Sequence, residues 1–220
     1  NNYLILIHGK RECPYAMIRG AFKLFNKGFS VIVPVLYAHG NDSLNEYIDY
    51  GKYSIEQINQ CVREAKLSGA NKIGIIGRSM GASSAIIATA KNKDIDAVIA
   101  ECPLKSIESS IEYKHQLYSD LPNFPFVNIK KAITKFQIGI DIDSLACINF
   151  VSRISPRPIF IMSATRDKIV NPQDFEDIYN RALEPKQIWR EDINHTKFHS
   201  KLKKQFYEKV ELFFIEAFED

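Results

Sequence analysis

Short apolar runs alternate with longer helical patterns along this chain of 220 residues. The runs are rich in Ile and Val and are continuous, which is typical of parallel strands covered by helices on both faces. The predicted strands cover residues 3–7, 30–33, 72–76, 97–100, 158–163 and, as the weakest of them, 187–190. Because strand–helix–strand units build parallel sheets, this pattern predicts an α/β fold with a mainly parallel sheet flanked by helices.

Helical patterns fill the segments between and after these strands. Residues 16–25 and 54–65 repeat apolar side chains at helical spacing, and a glycine follows each segment as a cap. Asn171-Pro172 is an N-cap followed by proline at the first helical position, which predicts a helix over 172–182. The last pattern, over 202–217, places Leu and Phe on one face and indicates core packing.

Residues 104–157 interrupt the alternation of strands and helices after the fourth predicted strand. A loop of this length without secondary structure would be unusual, so the segment is expected to form helices of its own. It carries six aromatic side chains, which are Tyr113, Tyr118, Phe124, Phe126, Phe136 and Phe150. We expect them to pack in a cap over the carboxyl edge of the sheet, where open α/β folds bind ligands.

The motif Gly77-Arg78-Ser79-Met80-Gly81 has the pattern G-x-S-x-G, with an Ile-rich strand before it and an Ala-rich helix after it. The glycines allow a turn sharp enough to project the serine hydroxyl, because larger side chains would collide with the neighbouring strand and helix. The plainer interpretation is an N-cap serine at an ordinary turn. The context favours Ser79 as a nucleophile, whereas Ser83 and Ser84 fall inside the helix and are interpreted as packing.

A serine hydroxyl needs a base and an orienting carboxylate before it can attack. Asp167 follows the predicted strand over 158–163, and His195 lies in the loop before the final helix, which gives the order Ser, acid, His. The alternatives are a turn residue for Asp167 and an ordinary loop histidine for His195. Glu101 is a rival acid from one strand earlier. His199 is a rival base, but it is expected to begin the last helix, which places it too far back.

Acyl transfer also needs donors for the developing oxyanion. The backbone N–H of Met80, directly after Ser79, is one candidate. The loop after the first strand supplies the other: Gly9 permits a tight turn, and the amide of Lys10 is the preferred donor. His8 is interpreted as a support for this loop rather than as a catalytic group.

The segments L-I-L-I-H-G, G-R-S-M-G, S-A-T-R-D-K-I-V-N-P and I-N-H together resemble the α/β-hydrolase superfamily. Glu101-Cys102-Pro103 and Pro122-Asn-Phe-Pro125 are similar to segments of bacterial single-domain serine-aminopeptidase and prolyl-oligopeptidase-like enzymes. The resemblance implies an α/β-hydrolase fold formed by one domain over 1–220, with residues 104–157 as a cap or lid. It also implies that the first antiparallel strand pair is missing or lies upstream. Residues 37–43 and the pair Ser163-Ala164 depart from the family pattern.

These features together predict a serine hydrolase that cleaves a carboxylic ester or thioester through an acyl-enzyme. The aromatic cap favours an apolar acyl group, and the expected substrate pocket contains Gly9, Arg78, Tyr113, Phe124 and Phe126. One alternative is a serine peptidase acting on short peptides. Another is a non-catalytic binding protein with a hydrolase fold, which an intact Ser-His-Asp set disfavours.

Composition disfavours several other classes of protein. A net charge of +3 is too weak to indicate nucleic-acid binding, and no run approaches the ~18 apolar residues of a membrane helix. His195 and His199 have H-x-x-x-H spacing, but Thr196 stands where a zinc protease has its Glu. No G-x-G-x-x-G motif is present, which disfavours a dinucleotide cofactor. We therefore expect neither a metal nor an organic cofactor. The expected partner is a small-molecule or acyl substrate.

The four cysteines are Cys13, Cys61, Cys102 and Cys147, and none forms a C-x-x-C pair. Their apolar neighbours favour buried reduced thiols and therefore a reducing compartment, so a cytoplasmic location is expected. Because the chain begins with Asn1, an upstream segment with a targeting signal is also compatible with it. The oligomeric state is left open.

Overall fold

The computed structural model describes residues 1–12, 14–39, 51–139 and 141–219. Its strands are β1 (Asn2–Ile7), β2 (Ser30–Ile32), β3 (Lys72–Arg78), β4 (Ala97–Glu101), β5 (Ile159–Ala164) and β6 (Lys186–Glu191). They form one six-stranded sheet in the order β2-β1-β3-β4-β5-β6. Every pairing in this sheet is parallel, which confirms the predicted fold class and strand positions.

The central strands are apolar throughout because both of their faces are covered. All residues of β4 and β5 are buried, and the register aligns Ile75 of β3 with Ile5 of β1 and Val98 of β4. The edge strand β2 is only three residues long and half-buried, so it is shorter than the sequence predicts.

The helices are α1 (Tyr15–Phe25), α2 (Ser54–Leu67), α3 (Met80–Lys91), α4 (Ile107–Tyr118), α5 (Asn123–Ile138), α6 (Pro172–Arg181), α7 (Phe198–Lys201) and α8 (Lys203–Glu219). The apolar residues of α2 and α3 join one core cluster, and those of α1 and α8 join a second, while α6 contributes Ile178 to the first and Phe175 to the second. Each fully buried Leu, Ile or Phe in these clusters contributes about 1.5–3 kcal/mol. Gly74 lets α8 approach the sheet, since a Cβ there would lie 2.7 Å from Cδ1 of Phe214.

The chain after β6 differs in one detail from the sequence prediction. The final helix is present, but a separate short helix, α7, precedes it and contains His199. The break falls at Leu202, whose backbone angles (φ −118°, ψ 38°) are not helical. His199 therefore lies outside the long helix.

The inserted segment forms helices, as predicted. It contains α4, α5 and three 3₁₀ turns (Ile142–Leu145, Cys147–Asn149 and Val151–Arg153). Its small core is made by Ile107, Ile138, Ile142 and Leu145. The expected packing of the aromatic side chains is wrong for three of them, because Tyr118, Phe124 and Phe136 are 69%, 77% and 88% exposed. Branched aliphatic residues, rather than aromatic ones, fill the interior of this segment.

A buried carboxylate joins the inserted segment to the body of the protein. Asp174 of α6 is 1% exposed and accepts a hydrogen bond of 2.6 Å from Oγ of Ser109 on α4. The ammonium of Lys105 lies 3.4 Å from the same carboxylate and 2.6 Å from that of Asp177. Burial raises the pKa of Asp174, and the bonds from Ser109 and Lys105 offset part of that rise.

The cysteines of the described residues are free thiols. Cys102 and Cys147 are buried and Cys61 is half-buried. Burial raises the pKa of all three thiols, so they stay protonated at neutral pH. Cys13 and residues 40–43, which the sequence analysis also discussed, lie outside the described residues. Among the described helices, none has the length and apolar character that crossing a bilayer requires.

Candidate active site

Ser79 lies in a strained turn between β3 and α3. Its backbone angles are φ 54° and ψ −120°, a conformation that non-glycine residues rarely adopt. A Cβ on Gly77 would lie 2.6 Å from Cα of Ala82, and a Cβ on Gly81 would lie 2.6 Å from the carbonyl oxygen of Ile7. The two glycines therefore allow α3 and β1 to close around the turn, which is the arrangement that the G-x-S-x-G motif predicts.

The structure brings Ser79, His195 and Asp167 into one chain of hydrogen bonds. Nε2 of His195 lies 2.9 Å from Oγ of Ser79, and Nδ1 of His195 lies 2.5 Å from Oδ2 of Asp167. The imidazole is 11% exposed and the carboxylate side chain is fully buried. Ser79 and His195, which are 116 positions apart in the chain, thus meet beside Asp167, which comes from a third loop.

Backbone contacts hold the acid in place. Oδ1 of Asp167 accepts hydrogen bonds from the amides of Ile169 and Val170, at 2.8 and 2.9 Å. These bonds orient the carboxylate so that Oδ2 faces the imidazole.

The loop that carries the acid and the loop that carries the histidine are joined to each other. The amide of Thr165 donates to the carbonyl of Glu191 at 2.9 Å, and the amide of Arg166 donates to the carbonyl of Ile193 at 3.2 Å. The guanidinium of Arg166 also donates to the carbonyl of Asp192. These bonds extend the pairing of β5 and β6 beyond the sheet and fix the distance between the two loops.

The loop after β1 lies directly against the Ser79 turn. A Cβ on Gly9 would lie 3.3 Å from Cβ of Ser79, so the absence of a side chain at Gly9 keeps this approach open. His8 is fully buried: its Nδ1 donates to the carbonyl of Gly9 at 2.9 Å, and its Nε2 accepts from the amide of Leu36 at 3.2 Å. Burial lowers the pKa of His8. It therefore supports the loop as a neutral imidazole, as the sequence analysis inferred.

Arg78 does not line the expected substrate pocket. It is 5% exposed, and its Nε lies 3.1 Å from Oε2 of Glu101. It borders a cavity of about 800 Å³ between α1 and the two last helices, and neither Ser79, Asp167 nor His195 lines that cavity. The sequence could not give the direction of this side chain, because either face of β3 is compatible with the motif.

The two rival residues take other roles. The side chain of Glu101 pairs with Arg78, and its carbonyl oxygen accepts a hydrogen bond of 2.8 Å from the amide of Ser79. His199 is half-buried on α7, with its ring 6.5 Å from that of Phe206. His195, rather than His199, contacts the hydroxyl of Ser79, and Asp167, rather than Glu101, supplies the carboxylate that contacts His195.

The three pocket residues expected from the inserted segment differ in how far they are buried and in what they contact. Oη of Tyr113 donates to the carbonyl of Asp167 at 2.8 Å, so α4 reaches the acid loop. Phe126 is half-buried, and Phe124 is 77% exposed at the surface. A pocket role for Gly9 and Tyr113 agrees with these positions, whereas roles for Phe124 and Phe126 stay predictions.

Cys102 adds a third possible metal ligand to this centre. One ligand atom from each of Cys102, Asp167 and His195 falls within a group 4.8 Å across. Burial, reinforced by the charges of Glu101 and Asp167, raises the pKa of the Cys102 thiol well above its usual range. Since a thiol binds metals as the thiolate, and since both nitrogens of His195 already contact protein groups, these residues suit a hydrogen-bonded relay better than a metal.

Sequence reasoning missed Glu12, which the structure places in the loop next to Ser79. Its Oε2 accepts a hydrogen bond of 2.9 Å from the amide of Gly9 and lies 3.6 Å from Nη1 of Arg78. The only signal in the sequence is the position of an acidic residue three places after Gly9.

The structure is similar to solved esterases and lipases. An esterase of Pyrococcus furiosus, Pf2001, matches with a TM-score of 0.77 and 22% identity, over 98% of this chain and 83% of that one. A monoacylglycerol lipase of Paleococcus ferrophilus matches with a TM-score of 0.74 and 17% identity, over 98% and 94% of the two chains. These matches show that the chain has the fold of the α/β-hydrolase superfamily.

Comparison of sequences gives one relative of unassigned activity. The uncharacterized protein YqkD of Bacillus subtilis (strain 168) is 23% identical over 217 residues, which cover 96% of this chain and 70% of YqkD. No protein-family model matches the chain. The comparisons therefore show the fold alone.

Proposed function

We propose that this protein is a serine hydrolase that cleaves a carboxylic ester or thioester through an acyl-enzyme. Ser79 is the nucleophile, His195 is the general base and acid, and Asp167 orients the imidazole. The amides of Met80 and Lys10 stabilise the oxyanion. The single observation that carries the proposal is the hydrogen-bonded chain from the buried Asp167 carboxylate through His195 to Oγ of Ser79.

The reaction has two halves. Oγ of Ser79 attacks the substrate carbonyl while Nε2 of His195 takes the hydroxyl proton, and the carbonyl oxygen becomes an oxyanion. The intermediate then collapses: the bond to the alcohol or thiol breaks, and His195 returns the proton to that leaving group. Water enters, His195 removes its proton, and the hydroxide attacks the acyl-enzyme. The acid is released as Oγ of Ser79 regains a proton.

Two features support oxyanion stabilisation at this position. Met80 is the first residue of α3, so no earlier carbonyl of the helix accepts a hydrogen bond from its amide. The helix dipole adds positive potential at the same end. In other enzymes the loss of one such donor costs about 10²–10³-fold in kcat.

The similar solved structures support an ester substrate rather than a peptide. Two of these structures are an esterase and a monoacylglycerol lipase, and both share the fold over nearly the whole of this chain. The inserted segment also lies against the site through Tyr113 and the Asp167 loop. An insertion in contact with the acid loop is suitably placed to bind the acyl part of a substrate.

A substrate panel tests the proposal. It comprises p-nitrophenyl esters of increasing acyl length, acyl thioesters and short peptide amides, each assayed with the unmodified protein and with Ser79→Ala. We expect ester or thioester turnover that exceeds peptide turnover and that disappears in Ser79→Ala. Faster cleavage of peptides would favour the serine peptidase alternative, and absence of any turnover would favour a binding protein.

A further inference from the structure

A buried ion pair lies directly behind the Ser79 turn. Arg78 and Glu101 are 5% and 1% exposed, and the sheet register places them side by side on β3 and β4. Burial alone would lower the pKa of Arg78, but the carboxylates of Glu101 and Glu12 raise it above its usual value. The guanidinium therefore stays charged, and it needs both of its partners because an uncompensated charge in the interior is costly.

Glu12 connects this ion pair to the loop after β1. Its Oε2 lies 3.6 Å from Nη1 of Arg78 and accepts a hydrogen bond of 2.9 Å from the amide of Gly9. The amide of Glu12 in turn donates to the carbonyl of Gly9 at 3.2 Å, which closes the turn. One carboxylate oxygen therefore contacts both the loop and the residue that precedes Ser79.

We propose that Glu12 and Arg78 are positioning residues that hold the loop of residues 8–12 against the Ser79 turn. They act through the backbone: Glu12 fixes the amide of Gly9, and Arg78 fixes Glu12 relative to β3. The Lys10 and Met80 amides consequently keep a constant separation. This inference rests on the proposed function, since it concerns the oxyanion site of that reaction.

The need for such a connection follows from where the two donors originate. Met80 begins α3, whereas Lys10 belongs to a separate loop, so no hydrogen bond of a common element fixes the distance between them. Oxyanion stabilisation depends on donors that are already oriented before the charge develops. Because the amide of Gly9 is directed to Glu12, the geometry also favours the next amide, that of Lys10, as the loop's donor.

Other contacts hold the opposite side of the loop. The amide of Arg11 donates to Nε2 of His39 at 2.9 Å, and His8 contacts the carbonyl of Gly9 and the amide of Leu36. Both histidines connect the loop to the chain after β2, on the side away from the Ser79 turn. Loss of Glu12 should therefore leave the loop attached to the protein but free to shift relative to Ser79.

The test uses Glu12→Ala and Glu12→Gln in the full chain. We expect Glu12→Ala to lower kcat for a p-nitrophenyl ester about 10–100-fold with little change in KM, because the defect concerns the transition state. Glu12→Gln should recover most of the activity, since its amide oxygen still accepts the Gly9 hydrogen bond. The control is Glu56→Ala, which removes an exposed carboxylate that is also paired with an arginine, Arg63.

A second readout separates positioning from general loss of structure. An alkyl trifluoromethyl ketone forms a tetrahedral adduct with a serine nucleophile and places an oxyanion between the same donors. Its inhibition constant should rise in proportion to the fall in kcat/KM, while the midpoint of thermal unfolding stays close to that of the control. If Glu12→Ala does not fold, Glu12→Asp, which retracts the carboxylate from Gly9, gives the same comparison.

Two outcomes would overturn the inference. One is a kcat for Glu12→Ala within about twofold of the unmodified protein, and the other is an inhibition constant that does not follow kcat/KM. Either result, obtained while turnover still depends on Ser79, would reject the positioning role of Glu12 and leave the proposed function intact. Absence of ester turnover in the unmodified protein would instead reject the proposed function.

Discussion

Oδ2 of Asp167 lies 2.5 Å from Nδ1 of His195, and the other carboxylate oxygen accepts two backbone amides. The two carboxylate oxygens thus have different hydrogen-bond partners, and this has a chemical consequence. The amide bonds fix the carboxylate in one orientation, with Oδ2 toward Nδ1 of His195 and with Nε2 directed to Ser79. In the proposed reaction an N–H at Nδ1 donates to Oδ2, and this tautomer leaves Nε2 able to accept the serine proton.

The first prediction concerns this tautomer. Asp167→Asn keeps an oxygen for the two amides but directs an NH₂ group at Nδ1 of His195, which favours the wrong tautomer. We expect kcat to fall about 10⁴-fold with a small change in stability. Steady-state kinetics and chemical denaturation measure the two quantities. Asp192→Asn, an exposed carboxylate beside the same loops, is the control, and equal losses in both variants would contradict the assignment.

The second prediction concerns the close approach of α3 to β1 at the Ser79 turn. Gly81→Ala adds a Cβ that would lie 2.6 Å from the carbonyl oxygen of Ile7 and 2.7 Å from its Cγ2. We expect the free energy of unfolding to fall by about 1–3 kcal/mol, because β1 or α3 has to move. Gly20→Ala, in the middle of α1 and 3.3 Å from Oη of Tyr207, should change stability by less than about 1 kcal/mol. If Gly81→Ala is as stable as Gly20→Ala, the turn can accommodate a Cβ at position 81, and the predicted steric conflict is wrong.

The third prediction concerns the attachment of the inserted segment. Ser109→Ala removes the shortest hydrogen bond to the buried carboxylate of Asp174. We expect a loss of about 1–3 kcal/mol in stability and faster proteolysis within residues 104–157. Limited proteolysis followed by mass spectrometry measures the second effect. Ser119→Ala, which changes the half-buried serine that follows α4, is the control. Unchanged cleavage in Ser109→Ala would contradict an anchoring role for Asp174.

The fourth prediction concerns pH. Burial, followed by the charge of Arg78, lowers the pKa of His199 below its unfolded value, while Lys197 lowers it further and Glu12 and Glu101 act in the opposite direction. The unfolded chain therefore binds this proton more readily. The corresponding stability is complete above about pH 6.5 and is lost as the pH falls below that value.

The change that tests this pH dependence is His199→Leu. It should narrow the difference in the free energy of unfolding between about pH 7.5 and pH 5.5, as measured by denaturant titration. Ser200→Ala, on the same short helix, should keep the full difference. Some acid sensitivity should remain in His199→Leu, since burial also lowers the pKa of His8. An unchanged difference in His199→Leu would show that His199 is not responsible.

The fold was predictable because local and long-range preferences agree. Strands such as β3 and β4 are buried on both faces, so their sequences had to be continuously apolar and were recognisable. The same applies to Ser79, Asp167 and His195, because each follows or adjoins a strand whose carboxyl end lies at one edge of the sheet. Their order along the chain then indicated which of them could meet.

The buried network behind the turn was not predictable in the same way. Glu12 looks like an ordinary surface residue until Arg78 is known to point inward and to pair with Glu101 across the sheet. The motif does not reveal which face of β3 carries the side chain of Arg78, so the sequence alone places Arg78 in the expected pocket. The aromatic side chains of the inserted segment were similarly misleading, because Phe124 and Phe136 lie at its surface and Ile residues fill its interior.

The most direct test of the central claim is covalent labelling of the nucleophile. The unmodified protein is treated with a fluorophosphonate, and the modified residue is located by peptide mapping with mass spectrometry. We expect one label per chain, attached to Ser79, and a parallel loss of ester turnover. Ser79→Ala should fold normally and take up no label. Labelling of Ser79→Ala to the same extent, or full ester turnover by that variant, would contradict the account.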